Sequence, residues 1–315
     1  MNIAYFWTWD FSKNILEDIL NNKEVNIKLV VSQTDKEVWR KREILETPVK
    51  KLSLEKWLQI VQAKKLSGEE KEELIIKLES LKLDFIVVVA YWKIIPKEIL
   101  DIPKYGSINI HGSILPKYRW ASPVQEVLKN WENSTWLTIM YMNEMMDEGD
   151  ILAVEEIEVD IVDKTPDIFK KFEKFWAKLL LDTLNKVITW SIKWIKQDNS
   201  KATYCKKIQK ENWKVDFRKE TSLEIYNKFR AYYTWPWIYT FLNWKKFNLE
   251  EIFFDEKTYK NFSAWEVIRL ENLRIWIVCS DKKAIVLKKV KLEWKKSLDI
   301  KDFLNWNKNF IWTIL

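Results

Sequence analysis

The only histidine of the 315-residue chain, His111, follows the short apolar run Ser107–Ile110. In an extended segment residues i and i+2 point the same way, so Asn109 and His111 present an amide donor and an imidazole on one face. Downstream, Met146-Asp147-Glu148-Gly149-Asp150 supplies a carboxylate at a turn. Together these groups can run an acyl transfer to an amine: the amide donates to a developing oxyanion, the imidazole handles protons, and the carboxylate orients and charges it. A lone histidine is more often a structural one. Its place at the end of a strand, where open α/β sheets bind ligands, favours the chemical reading.

The elements that must carry these residues alternate. Asn2–Phe6, Ile27–Val31, Phe85–Ala90, Ser107–Ile110, Thr135–Met142 and Ile151–Glu158 read as strands, and Phe11–Asn22 has helical spacing. The pattern predicts a Rossmann-like open, parallel-rich α/β sheet. Gln33–Pro48 is a long charged loop holding Arg40-Lys41-Arg42. Thr165-Pro166 opens one long helix with Phe169, Phe172, Trp176, Leu180, Leu184 and Val187 as its buried stripe. Periodicity fades over 190–207, a linker between a first domain, 1–189, and a second, 208–315. Thr221-x-x-Glu224 is a capping box opening a helix to about Arg230. Beyond it, 267–270, 274–279 and 284–290 are short strands, and a small β-barrel or sandwich is expected.

Composition bears on every motif. The chain has 20 tryptophans and 4 glycines, where average usage would give roughly 22 glycines. Several tryptophans stand where backbone chemistry asks for glycine: Trp7 and Trp9 after the first strand, Trp244 in Asn243-Trp244-Lys245, and Trp306 in Asn305-Trp306-Asn307. Only glycine takes a positive φ without steric cost. The expectation is that most of these codons are UGA, read as glycine in the source organism. Trp57, in a helical stretch, and Trp176, on the helix stripe, read as core tryptophans.

Charge is uneven. From Ile208 onward 21 Lys/Arg face 14 Asp/Glu, so the last third holds the whole net charge of +7. Seven lysines crowd 282–296. Such a field suits a polyanion, most simply nucleic acid, or else is a solvated face. Cys205 and Cys279 form neither a disulfide framework nor a metal pattern. Without a membrane-spanning run or a signal peptide, a cytoplasmic protein is expected.

With glycine read at 120, 131 and 136, the segment Gly106–Leu152 resembles the methionyl-tRNA formyltransferases. The carrying stretches are Asn109-Ile110-His111-Gly112-Ser113-Ile114-Leu115-Pro116 through Tyr118-Arg119-Trp120-Ala121-Ser122-Pro123, and Thr138–Met142 with Met146-Asp147-Glu148-Gly149-Asp150-Ile151. Phe6-Trp7-Thr8-Trp9, Trp39-Arg40, Ala90-Tyr91-Trp92-Lys93 and Trp235-Pro236-Trp237 extend the likeness over the chain, the last marking Trp235 as a true tryptophan. The resemblance implies formyl transfer from 10-formyltetrahydrofolate to the α-amino group of initiator methionyl-tRNA. It implies Asn109, His111 and Asp147 as the catalytic set, Ser113, Ile114, Leu115 and Pro116 in the folate site, and Arg40 with Arg42 near the tRNA acceptor end. It further implies an OB-like C-terminal barrel holding tRNA, no metal, and a monomer. An amino-sugar nucleotide formyltransferase shares the trio, but its small acceptor leaves the basic tail without a task. A glycinamide formyltransferase lacks the second domain, and a non-catalytic RNA-binding protein would not need the trio.

Overall fold

Phe85–Val89 is buried at every position, which is why it reads as an unbroken apolar run: a central parallel strand is covered on both faces. The computed structural model describes residues 1–7, 11–38, 43–91, 93–269 and 274–311. Arg40 and Arg42 lie outside the described residues, as do Trp9, Trp39 and Trp92. The chain divides into two units, the first formed by Met1–Pro123, Ser134–Glu158 and Phe169–Cys205.

The strands of the first unit are β1 (Asn2–Trp7), β2 (Asn26–Ser32), β3 (Lys36–Val38), β4 (Glu43–Leu45), β5 (Ile60–Gln62), β6 (Phe85–Val89), β7 (Ser107–His111), β8 (Arg119–Trp120), β9 (Ser134–Tyr141), β10 (Ile151–Glu158) and β11 (Tyr204–Cys205). Seven of them make one sheet in the order β10-β9-β7-β6-β1-β2-β5. β7, β6, β1, β2 and β5 pair in parallel, while β9 is antiparallel to both β7 and β10. The parallel-rich α/β sheet expected from the sequence is therefore present. The stretch 33–48 is more than a loop, because β3 and β4 pair antiparallel within it.

The helices of the chain's first two-thirds are α1 (Phe11–Leu20), α2 (Pro48–Glu55), α3 (Glu69–Ser80), α4 (Lys97–Leu100), α5 (Pro123–Lys129), α6 (Thr165–Phe172) and α7 (Trp176–Ile188). The single long helix expected from Thr165 onward is two helices, divided at 173–175. Ile168 rather than Phe169 carries the buried stripe, which continues through Phe172, Trp176, Leu180 and Leu184 at four-residue spacing. No glycine or proline marks the break, so the unbroken periodicity conceals it.

Three of these helices end alike. After α2 the N–H of Trp57 donates to Leu54 O and that of Leu58 to Ser53 O. The pairs Trp131→Leu128 and Glu132→Val127 close α5, and Trp190→Val187 and Ser191→Lys186 close α7. These are Schellman closures, whose C′ residue is left-handed and usually glycine. Trp57, Trp131 and Trp190 occupy it with φ of 56°, 56° and 55°. Trp57 is 95% exposed, so the expectation that it belongs to the core fails. Trp176 is fully buried.

The second unit comprises Val124–Asn133, Val159–Ile168 and Lys206–Leu315. Helix α8 (Ser222–Ala231) opens on the expected capping box, Thr221 and Glu224 each accepting the other's backbone N–H. The buried Arg230 on α8 donates to the carbonyls of Asp163 and Asp160 at 2.7 and 2.8 Å, which fastens the inserted 159–168 segment. Then follow β12 (Tyr239–Leu242), β13 (Lys245–Asp255), β14 (Val267–Arg269), β15 (Ile275–Val278), β16 (Ala284–Leu292), β17 (Leu298–Asp299) and α9 (Ile300–Trp306). The sheet β12-β13-β16-β15-β14, with β17 on β16, is antiparallel and curls into a half-barrel. Phe247, Phe303 and Phe310 form an aromatic cluster between sheet and C-terminal helix. The crowded lysines stand on β16 and its flanking turns, where Lys288 pairs with Glu251 at 2.6 Å.

Candidate active site

Reading the parallel part of the sheet from β5, the strand order is β5-β2-β1-β6-β7, so successive connections change direction between β1 and β6. Ligands bind such sheets beyond the carboxyl ends of the strands at that switch. β7 lies one strand away and ends in His111, with Asn109 paired beside Val88 of β6 and Met140 of β9. Both side chains are buried. Alternation along β7 thus puts the amide and the imidazole together, as the spacing predicted.

The third group arrives from the β9–β10 turn. Asp147 Oδ1 is 3.5 Å from Asn109 Nδ2, a long contact, and Oδ2 is 3.8 Å from His111 Nδ1. Oδ2 also accepts the backbone N–H of Trp120 at 2.7 Å. His111 Nε2 faces the Tyr118 carbonyl at 2.8 Å. A carbonyl only accepts, so Nε2 carries a proton and Nδ1 is the nitrogen that faces Asp147. The three sequence-predicted residues are brought together.

Glycine at 149 is required by close approach. A Cβ there would sit 1.8 Å from the carbonyl oxygen of Tyr141, a backbone atom with nowhere to go. Gly149→Ala is expected to cost about 1–3 kcal/mol from overpacking. By shifting the turn that bears Asp147 it should also slow turnover about a hundredfold. Thermal melting and single-turnover rates check this; native values for both would refute the close-approach argument.

The stretch 113–116 packs inward at alternate positions. The Ser113 hydroxyl donates to Lys117 O at 2.7 Å, Leu115 is buried, and the Leu115–Pro116 peptide is cis. Ser113 and Leu115 thus point inward, while Ile114 and Pro116 keep partial exposure. At the carboxyl end of β6, the buried Tyr91 hydroxyl has no hydrogen-bond partner among the described residues. At the end of β1, Trp7 is fully buried and its indole N–H likewise lacks one.

Sequence reasoning gave no individual role to Tyr118, whose carbonyl fixes the His111 tautomer, nor to Arg119, Glu148 and Gln197 around the Asp147 turn. Gln197 lies in 190–207, where fading periodicity suggested a free connector. Up to Cys205 this stretch is instead fixed to the first unit: Ile195 bridges Ile151, and β11 pairs in parallel with β8. Contacts spanning 50 residues or more leave no local pattern to read.

The class of this chain, a formyl transferase, follows from comparison with known families. The family model "Formyl transferase" matches residues 1–184 and "Formyl transferase, C-terminal domain" matches 207–308. A methionyl-tRNA formyltransferase of Caldicellulosiruptor saccharolyticus is 39% identical over 97% of this chain and 96% of its own. Among solved structures, methionyl-tRNA formyltransferase from Clostridium thermocellum superposes with a TM-score of 0.58 at 17% identity, over 82% of this chain and 95% of that one. The sugar 3N-formyl transferase WlaRD, solved with dTDP and 5-N-formyl-THF, gives 0.63 at 20%, over 94% and 99%; both share the fold. The chain belongs to the methionyl-tRNA formyltransferase family.

Proposed function

We infer that the protein transfers a formyl group from 10-formyltetrahydrofolate to the α-amino group of initiator methionyl-tRNA, acting as a cytoplasmic monomer. The observation that carries the chemistry is the Asn109–His111–Asp147 cluster at the carboxyl edge of the sheet. The neutral amine attacks the formyl carbon, giving a tetrahedral oxyanion held by the Asn109 amide and the His111 imidazolium. Asp147, opposite Nδ1, stabilises that cation. As the intermediate collapses, the carbon–N10 bond breaks and the amine's proton passes to the departing folate nitrogen, with Asp147 as relay. Ser113, Ile114, Leu115 and Pro116 form one wall of the folate site, and the unpaired Tyr91 hydroxyl is a polar contact of the kind a bound folate can satisfy. The 1–189 domain does the chemistry, and the lysines of the 208–315 domain, with Arg40 and Arg42, meet tRNA phosphates. No metal is needed in this scheme.

Full-length likeness to a methionyl-tRNA formyltransferase favours this acceptor over an amino-sugar nucleotide. The test supplies the donor with both acceptors. Label on the charged tRNA alone, weakening as salt rises, is expected; label on the sugar nucleotide would move the assignment to the sugar enzyme.

We further infer that the source organism inserts glycine at most of the positions written as tryptophan. Eight of the sixteen described tryptophans, Trp57, Trp120, Trp131, Trp190, Trp237, Trp244, Trp265 and Trp294, have φ between 55° and 77°. For a bulky residue even one such conformation is an outlier. Asn243 and Trp244, at 50° and 65°, form the two-residue connection between β12 and β13, which is the type I′ turn that Asn-Gly makes. The backbone makes no such demand at Trp7, Trp136 or Trp306, the last of which closes α9. Glycine at 7 would nonetheless exchange a buried unpaired indole for room at the ligand-binding edge. Mass spectrometry of peptides from the protein purified from its own cells reads each position directly, and tryptophan at the eight would end the proposal.

A further inference from the structure

The Asp147 turn is held from behind by two buried side chains. Gln197 Nε2 donates to the carbonyls of Asp147 and Gly149 at 2.9 and 2.7 Å. Its Oε1 accepts from Arg119 Nε and Nη2 at 3.1 and 2.8 Å. Arg119 has no exposed surface. Its Nη2 also reaches Asn199 Oδ1 at 2.7 Å, and Nη1 lies 3.1 Å from Glu148 Oε1 as an ion pair off the hydrogen-bond axis. All of these residues belong to the first unit.

A buried guanidinium demands partners, and here they converge on one turn. The glutamine amide accepts at one end and donates twice at the other, so the arginine's charge polarises the group that grips the turn. The turn needs a grip, because Asp147 has φ of 58°, which an L-residue keeps only when its surroundings impose it. The residue next to Arg119 aims the carboxylate, the N–H of residue 120 donating to Asp147 Oδ2 at 2.7 Å. One segment therefore fixes both the backbone of the turn and the direction of its side chain.

We propose that Arg119 and Gln197 are positioning residues for the formyl transfer, a buried clamp that sets the Asp147 carboxylate against Nδ1 of His111. The proposal rests on the reading of Asp147 as a catalytic group.

The test compares Gln197→Leu, Arg119→Lys, Asp147→Asn and the double variant Gln197→Leu/Asp147→Asn in the full-length chain. Single-turnover formylation rate, donor affinity, hydrogen exchange at the amide of residue 120 and thermal melting are measured. Gln197→Leu is expected to slow the chemical step about a hundredfold, with donor affinity unchanged and exchange at residue 120 faster. On the Asp147→Asn background the same substitution should add little, because both act through one carboxylate. Arg119→Lys keeps a charge near Glu148 but loses the fork on Gln197. It should show a smaller loss of the same kind, and it carries the test should Gln197→Leu not fold. A lowered melting temperature with a native rate, or a Gln197→Leu loss that persists in full beside Asp147→Asn, would overturn the clamp. Native turnover by Asp147→Asn alone would instead remove the reading of Asp147 on which it rests.

Discussion

Asn109→Ala is expected to lower the formylation rate constant about 10²–10³-fold while donor affinity stays near its native value. The asymmetry follows from the site. Among the described residues the Asn109 amide makes only the long 3.5 Å contact to Asp147 Oδ1. The Asp147 carboxylate has a second and shorter hold on the N–H of residue 120. Removing the amide therefore orphans no strong partner, and the strand beneath, paired on both sides, stays in place. What is lost is a donor whose best partner exists only at the tetrahedral stage. Loss of one oxyanion donor costs about 2.7–4 kcal/mol of barrier. Rapid-quench single turnovers at saturating donor measure the effect. A variant within a fewfold of native would remove Asn109 from the catalytic set, and an equal loss in donor affinity would reassign it to folate binding.

How much of this was legible depended on the range of each interaction. Phe85–Val89 announced a central strand because burial on both faces leaves an apolar run, and Asn109/His111 announced a shared face because alternation is strict. The Thr221–Glu224 box marked the start of α8 because both hydrogen bonds lie within three residues. The division between α6 and α7 was hidden, since the four-residue spacing runs through it and nothing breaks the chain chemically. The β12–β13 hairpin was half hidden: the turn at Asn243 showed, but its second residue is written as tryptophan, so the flanking strands went unread. Arg119 and Gln197 were beyond reach. They meet across 78 residues, and their partners on the turn are backbone carbonyls that any sequence supplies.

Restoring glycine at the eight positive-φ tryptophans is expected to stabilise the chain by about 8 kcal/mol or more. A left-handed conformation costs an L-residue roughly 1–2 kcal/mol through the clash of Cβ with the following carbonyl, and glycine is free of it. The sites are scattered over helix ends, a hairpin and loops, and distant sites add. Their sum rivals the whole stability of an ordinary domain, about 5–15 kcal/mol. The gain is least opposed at Trp57, Trp190, Trp244 and Trp294, which are 95%, 80%, 96% and 83% exposed, whereas Trp120, Trp131, Trp237 and Trp265 give up ring or cation contacts. At about 2–4 °C per kcal/mol for domains of this size, the melting temperature should rise by roughly 15–30 °C. The control replaces Trp136 and Trp306, which lie within β9 and α9 where the backbone makes no such demand, and should not raise it. Trp120 should stand apart within the eight, since it lies beside Asp147 and packs at a tilt against Tyr204 with ring centroids 4.8 Å apart. Glycine there should change donor or acceptor affinity as well as melting. An unchanged or lower melting temperature in the eight-glycine chain would mean that tryptophan is tolerated in these turns and that the conformational argument for recoding fails.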